Sequence, residues 1–169
     1  MNDHVASRDA AVLQAARRAL ARQSFCTLAT SSRRNRPHVV GVVYAEVDGA
    51  VYIHTLSGSR KARNLRENPQ VGVCVPVRKY PGAPPFCVQF QGTAELLSPD
   101  HPEIVALLRT GRLKKITAHG ALALPDACFI RVTPGRRICT YGLGVPLLTL
   151  LRDRFHADRS IALGEARRV

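Results

Sequence analysis

From Phe25 onward the chain is cut into short strand-like runs by glycine, proline and polar turns, and such a chain builds a core by pairing strands into a sheet or barrel. Phe25 to Ser31 (FCTLATS) reads as a strand, and Ser32 to Arg36 as a polar turn. Pro37 to Ala45 (PHVVGVVYA) is a longer strand, apolar enough for burial on both faces, with Gly41 marking a bend or bulge. Asp48-Gly49 is a hairpin signal leading into Val51-Tyr52-Ile53. Gln70 to Val77 (QVGVCVPV) follows, then a proline-rich loop from Arg78 to Pro85. Phe86 to Leu97 alternates, with Cys87, Gln89, Gln91 and Thr93 opposing Val88, Phe90 and Gly92. Ala127 to Thr133 and Arg137 to Tyr141 read as two strands around Pro134-Gly135.

Helical signals lie at the periphery. Val12, Leu13, Ala16 and Leu20 share one face of a helix over about 8–23, with Ser7 as its N-cap. Asp100-x-x-Glu103 has the form of a capping box for a helix through Leu108, closed by Gly111. Pro146 suits the first turn of a last helix over about 146–155, and the tail beyond His156 is basic and expected to be mobile. The expectation is a mainly β protein: a six- to seven-stranded antiparallel barrel over about 25–141 with peripheral helices, in one domain spanning residues 1–169.

Tyr52 to Pro69, YIHTLSGSRKARNLRENP, carries the chemistry. A strand through Thr55 is broken by Leu56-Ser57-Gly58. Ser59 then occupies an N-cap position, Arg60 to Glu67 forms a short helix, and Asn68-Pro69 ends it. Free backbone N–H groups and the positive dipole end favour an anion there, and cations in a first helical turn are unfavourable unless an anion answers them. Arg60 and Lys61 beside the Ser59 hydroxyl therefore predict a phosphate site; the alternative is that Arg60, Lys61, Arg63 and Arg66 form a solvated face.

The formal net charge of +13 also supports an anionic partner, such as a cofactor, nucleic acid or a membrane surface. Nucleic acid ranks low, because aromatics make up 5% of the chain, tryptophan is absent and no recognition helix or stacking motif appears. The five cysteines include no C-x-x-C pair and lie in apolar or β-like runs, which points to buried free thiols in a reducing compartment. The six scattered histidines give no metal motif. No apolar run reaches membrane-spanning length, and the opening MNDHVASRD lacks the pattern of a signal peptide, so a cytoplasmic protein is expected. No G-x-S-x-G elbow, Walker loop or G-x-G-x-x-G follows a strand, so an enzyme built on this chain would leave the difficult step to a cofactor.

Thr55 to Pro69 closely resembles the cofactor-phosphate segment of the pyridoxamine 5′-phosphate oxidase-like, FMN-binding split-barrel proteins. A strand ending in Thr, then S-R-K, then N-P opening the next strand, all match. FCTLATSSRRNRPHVVGVVY is similar to that family's first hairpin, and FQGTAELL to its later strand ending in G-x-A-x-L. The resemblance covers roughly Ser24 to Leu97. It implies that Arg60 and Lys61 grip the phosphate of FMN while Ser59 and Thr55 add hydroxyl contacts. It implies that His54 stands beside the flavin and that the run from His38 through Val39 and Val40 to Val42 lines the ring with backbone groups. It further implies a homodimer with the cofactor at the interface, and hydride or electron transfer to or from a small organic substrate.

The chain departs from that pattern in three places. Val39 to Tyr44 lacks the family's second-strand lysine, and Cys87 stands where the true oxidases carry a glutamine, leaving Gln89 or Gln91 as substitutes if either points inward. RVTPGRRICTYGLGVP replaces the C-terminal substrate motif, so pyridoxamine phosphate is not the expected substrate. On the same fold the alternatives are a reductase using the deazaflavin coenzyme F-420, whose acidic tail suits a basic chain, and a haem or bilin binder in which His54 or His38 would matter.

Overall fold

The computed structural model describes residues 2–77, 86–118, 120–145 and 158–163. Its strands are β1 (Phe25–Ser31), β2 (Pro37–Val43), β3 (Ala45–Val47), β4 (Ala50–Leu56), β5 (Gln70–Val77), β6 (Phe86–Leu97), β7 (Ala127–Tyr141) and β8 (Asp158–Ala162). The helices are α1 (Asn2–Arg22), α2 (Arg60–Glu67), α3 (Pro102–Arg109) and α4 (Lys114–Thr117), with a 3-10 turn at Ala121–Ala123. The strands form one sheet in the order β2-β1-β5-β6-β7-β4-β3, and β8 pairs with the far half of β7. Every pairing is antiparallel. The sheet curls until β2, at one end, touches β4 near the other. The expected mainly β split barrel is the observed architecture, and the split lies between β2 and β4.

Alternation along the strands builds the interior. Leu28, Val51, Ile53, Val73, Val75, Val88, Phe90, Ile130 and Val132 form a continuous buried cluster, which α1 covers with Ala16 and Leu20. The buried Tyr44 hydroxyl donates to the Leu20 carbonyl at 2.7 Å, tying the end of α1 to the barrel. A second cluster lies on the other face of β4 and β7, where Tyr52 and Phe129 pack with Ile104 of α3, Leu113 and Ile116 of α4. Glu103 pins α3 there by accepting from the Tyr52 hydroxyl and the Arg131 guanidinium, and Arg131 also bonds Glu95.

Several elements differ from the sequence expectation. Helix α1 begins at Asn2, so Ser7 lies inside it and caps nothing; no proline or glycine interrupts the first turns. Strand β2 is not buried on both faces: it is an edge strand, half-buried at His38, Val40 and Val42 and exposed at Val39 and Val43. Gly41 marks no bulge, since β2 pairs with β1 in unbroken register; a Cβ there would lie 2.7 Å from the Phe25 ring, which covers it. The bulge falls instead between Phe90 and Gly92, opposite Pro134. A proline at a bulge forfeits no ladder bond, so Ala127–Tyr141 runs through as one strand rather than two.

The expected capping box does not form. His101 is the N-cap of α3 and Glu103 turns to Tyr52 and Arg131, while Gly111 does close the helix at φ +70°. Cys26 and Cys128 are buried as expected, but Cys74 and Cys87 are only half-buried and Cys139 is exposed. The expected last helix over about 146–155 lies outside the described residues, and within the expected mobile tail Asp158–Ala162 pairs with β7.

Replacing Tyr44 by Phe keeps the ring and orphans the Leu20 carbonyl. The expected loss is about 1–3 kcal/mol of unfolding free energy in urea titrations. Tyr141→Phe, at a half-buried ring, should change it by less than about 0.5 kcal/mol.

Candidate functional site at the barrel split

Helix α2 forms as its sequence dictates. Ser59, extended at φ −67° and ψ 154°, caps it by accepting from the Ala62 N–H at 3.3 Å, and the Thr55 hydroxyl lies 3.2 Å from that of Ser59. Ala62 and Leu65 are buried, so the helix plugs one end of the barrel. Asn64, also buried, donates to the Thr30 hydroxyl of β1 at 3.0 Å. The first turn holds no acidic residue. The dipole end and the Arg60 and Lys61 side chains are thus left without an acidic partner in that turn.

The sheet order leaves backbone unpaired on both sides of the split. Strand β2 pairs only with β1, and on its β3 side β4 is paired only through Tyr52. His38 stands opposite Thr30 on β1. Thr30 is held by Asn64, which lies one turn beyond Arg60 on α2. His54 stands opposite Phe129 on β7, with the ring centroids 5.5 Å apart and edge-on at 74°. Thr55 and Ser59 meet at the start of α2, where Arg60 and Lys61 lie close enough to His38 to act on its charge, and these residues border one cleft at the split. His54 lies on the opposite face of β4, with Tyr52 and Phe129, within reach of the Lys61 charge.

The cleft's electrostatics are consistent with an anion site. Lys61 is half-buried, and burial pulls its ammonium below the usual lysine range, with a small opposing influence from Cys128. Burial also holds His38 below the usual 6.5, reinforced by Arg60 and then Lys61. His54 is lowered by burial too; the Ala121 backbone opposes this and Lys61 adds to it. Four buried side-chain polar atoms among the described residues lack a hydrogen-bond partner; one of them, His38 Nδ1, lies at this cleft, and another, His54 Nε2, on the opposite face of β4. Burial keeps the Cys128 thiol protonated against Arg66 and Lys61, so it is no ready nucleophile.

Not all the sequence candidates meet there. Val40 points into the barrel, whereas Val39, Gln89 and Gln91 line an outer groove of about 830 Å³ over β1, β5, β6 and β7. Gln89 and Gln91 are exposed, and Gln89 bonds the Cys87 sulfur at 3.0 Å, so neither points inward. Sequence reasoning missed two supports. Arg66 donates to the Ser57 carbonyl at 2.9 Å and braces the β4–α2 loop, and the Ser57 N–H donates to Asp126 at 2.8 Å. That second bond draws the 120–126 loop, with exposed Leu122 and Leu124, toward exposed Leu56 at the end of β4. Only the buried polar pair Asn64–Thr30 left a sequence trace, as an asparagine inside a helix.

The chain is an antiparallel split barrel with a cationic helix N-terminus following the end of β4. The pyridoxamine 5′-phosphate oxidase family model matches residues 12–138, and the chain belongs to that family. Solved structures share the fold. HutZ, the haem storage protein of Vibrio cholerae, superposes with a TM-score of 0.65 at 21% identity, covering 76% of this chain and 93% of that one. A haem-binding protein of Mycobacterium smegmatis gives 0.67 at 20% identity; 88% of this chain is covered, and it spans only 57% of that one. An FAD-binding protein of Mesorhizobium loti gives 0.60 at 23% identity over 72% of this chain and 86% of that one. No curated protein matches the chain.

The lowered histidines set a pH dependence. The unfolded chain, with ordinary imidazoles, binds more protons in mild acid than the folded one, so folding stability is full above about pH 6.5 and falls as the pH drops below it. Melting curves of the cofactor-free protein should shift down between about pH 7.5 and 5.5, and His38→Asn or His54→Asn should flatten that shift. Parallel curves for parent and variants would contradict the assignment.

Proposed function

We propose that the chain is a flavin-dependent oxidoreductase that binds FMN with its phosphate at the N-terminus of α2. In this reading it is a single split-barrel domain working as a cytoplasmic homodimer. The observation that carries the reading is Arg60 and Lys61 in an acid-free first turn, capped by Ser59, at the split between two half-unpaired strands. Arg60 and Lys61 hold the phosphate, with Ser59 and Thr55 hydroxyls beside it. The free edge of β2 from His38 through Val40 offers backbone groups to the ring, and His54 lies beside it. Bound flavin supplies a hydride or electron acceptor for a small organic substrate, while the chain binds, orients and excludes water. Pyridoxamine phosphate is not that substrate, because the C-terminal stretch lacks the family's substrate motif.

The dimer explains the second group of candidates. Phe25, Val39 and Val43 expose 49%, 63% and 50% of their surface on one outer sheet face, an apolar patch that needs cover. In a two-fold dimer the groove of one protomer, with Gln89 and Gln91, would face the cleft of its partner. No helix among the described residues is long and apolar enough to cross a membrane. The net charge of +13 would equally suit the acidic tail of the deazaflavin coenzyme, and two fold relatives are described as binding or storing haem. The absorbance spectrum of the freshly purified protein separates these chromophores.

Each cation's charge-assisted bonds are worth about 1.5–3 kcal/mol. Arg60→Ala or Lys61→Ala should therefore weaken FMN binding roughly ten- to a hundred-fold in fluorescence-quenching titrations. The double variant should lose FMN and keep any weak riboflavin binding. Arg63, exposed on α2, is the control; Arg66 is unsuitable because it braces the Ser57 loop. FMN binding by the double variant at the parent's affinity would refute the phosphate site. In sedimentation, the parent should run as a dimer and Val43→Asp as a monomer; a parent that runs at 18.5 kDa would refute the dimer.

A further inference from the structure

Two imidazoles near the split each carry a water-shielded, unpartnered nitrogen, His38 beside Arg60 and Lys61 and His54 on the opposite face of β4, and a cofactor phosphate held by the cations alone leaves the first unexplained. His38 is the better placed. Its cross-strand partner Thr30 is bonded to Asn64, one turn beyond Arg60 on α2, so the inward side of β2 meets the same helix face that carries Arg60. Its inward neighbour on β2, Val40, is apolar and packs on the core. The charged groups that act on His38 are Arg60 and Lys61 of α2; β1 presents only the Thr30 hydroxyl to it. His54 answers to Lys61 alone and has the Ala121 backbone beside it.

We propose that His38 is a third, proton-carrying ligand of the anion at this site, charging as a phosphate dianion enters between it, Arg60 and Lys61. The inference deepens the FMN reading and rests on its phosphate site. Without an anion, burial and then the two cations favour the neutral imidazole. A dianion reverses the sign of the local field, so one proton is taken up with the ligand. The site then prefers a phosphate monoester, which carries two charges, over a phosphodiester or a carboxylate, which carry one. Affinity should rise as the pH falls, by at most about tenfold per pH unit for one linked proton.

The test has two arms on the full chain. In the first, histidine side-chain NMR follows the His38 resonance, assigned by its loss in His38→Asn, through a pH titration with and without inorganic phosphate. The expected result is a His38 titration that starts below the ordinary histidine range and moves above it with phosphate, while His54 moves less. A His38 titration unmoved by saturating phosphate, or no phosphate binding at all, overturns the proposal. In the second arm, FMN and riboflavin affinities are measured from about pH 6 to 8 for the parent, His38→Asn and His38→Gln. The parent's FMN affinity should strengthen toward acid relative to both variants, which removes the ligand's own titration from the comparison, and riboflavin should show no such difference. If FMN binds with parallel pH curves in parent and variants, the proposal falls and the FMN reading stands. If FMN does not bind but inorganic phosphate raises His38, the proposal stands and the FMN reading falls.

Discussion

An eight-residue helix with cations in its first turn depends on an anion or on solvent to offset its own dipole. Much of the molecule is arranged around where that helix end comes to rest. The sheet runs from β2 round to β3, and its two ends do not pair. Helix α2 follows the end of β4 beside that gap and packs against β1 and β6, plugging the barrel with Ala62 and Leu65. Ser59 satisfies the Ala62 N–H, and the Asn64–Thr30 bond fixes the helix against β1. A closed barrel would have strand backbone in place of the cleft.

Burial sharpens the electrostatics. Lys61 gives up part of its hydration near Cys128 of β7, and burial first, then Arg60 and Lys61 at His38 and Lys61 alone at His54, disfavour the charged form of the two histidines. Such an arrangement costs stability, and an anion bound there would offset the cost. The second cluster, pinned by Glu103, Tyr52 and Arg131, keeps the far side of β4 and β7 rigid, so His54 and Phe129 are held on a fixed wall.

The alternation in FCTLATS, QVGVCVPV and FQGTAELL carried the barrel's inner and outer faces, because a strand with one buried side has a period of two. Ser59, Arg60 and Asn68-Pro69 carried α2 for equally local reasons. Non-local pairing was not legible in the same way. PHVVGVVYA is apolar throughout, yet β2 is an edge strand whose outer valines face outward, and a run of valines does not record whether a partner strand or a partner subunit covers it. Pro134-Gly135 looks like a turn but serves a bulge, because only its pairing with Gly92 on β6 makes the proline tolerable in a strand. Gln89 and Gln91 alternate correctly, but alternation says which residues share a face and not which face looks at the cofactor.

The central claim is that the α2 N-terminus at the split receives a phosphate. A crystal structure of the chain grown with FMN tests it most directly. The account predicts phosphate density within hydrogen-bonding distance of Arg60, Lys61 and the Ser59 hydroxyl, in the cleft between β2 and β4. Phosphate density elsewhere, for instance in the outer groove beside Arg136 and Arg137, with the α2 N-terminus facing solvent, would contradict it.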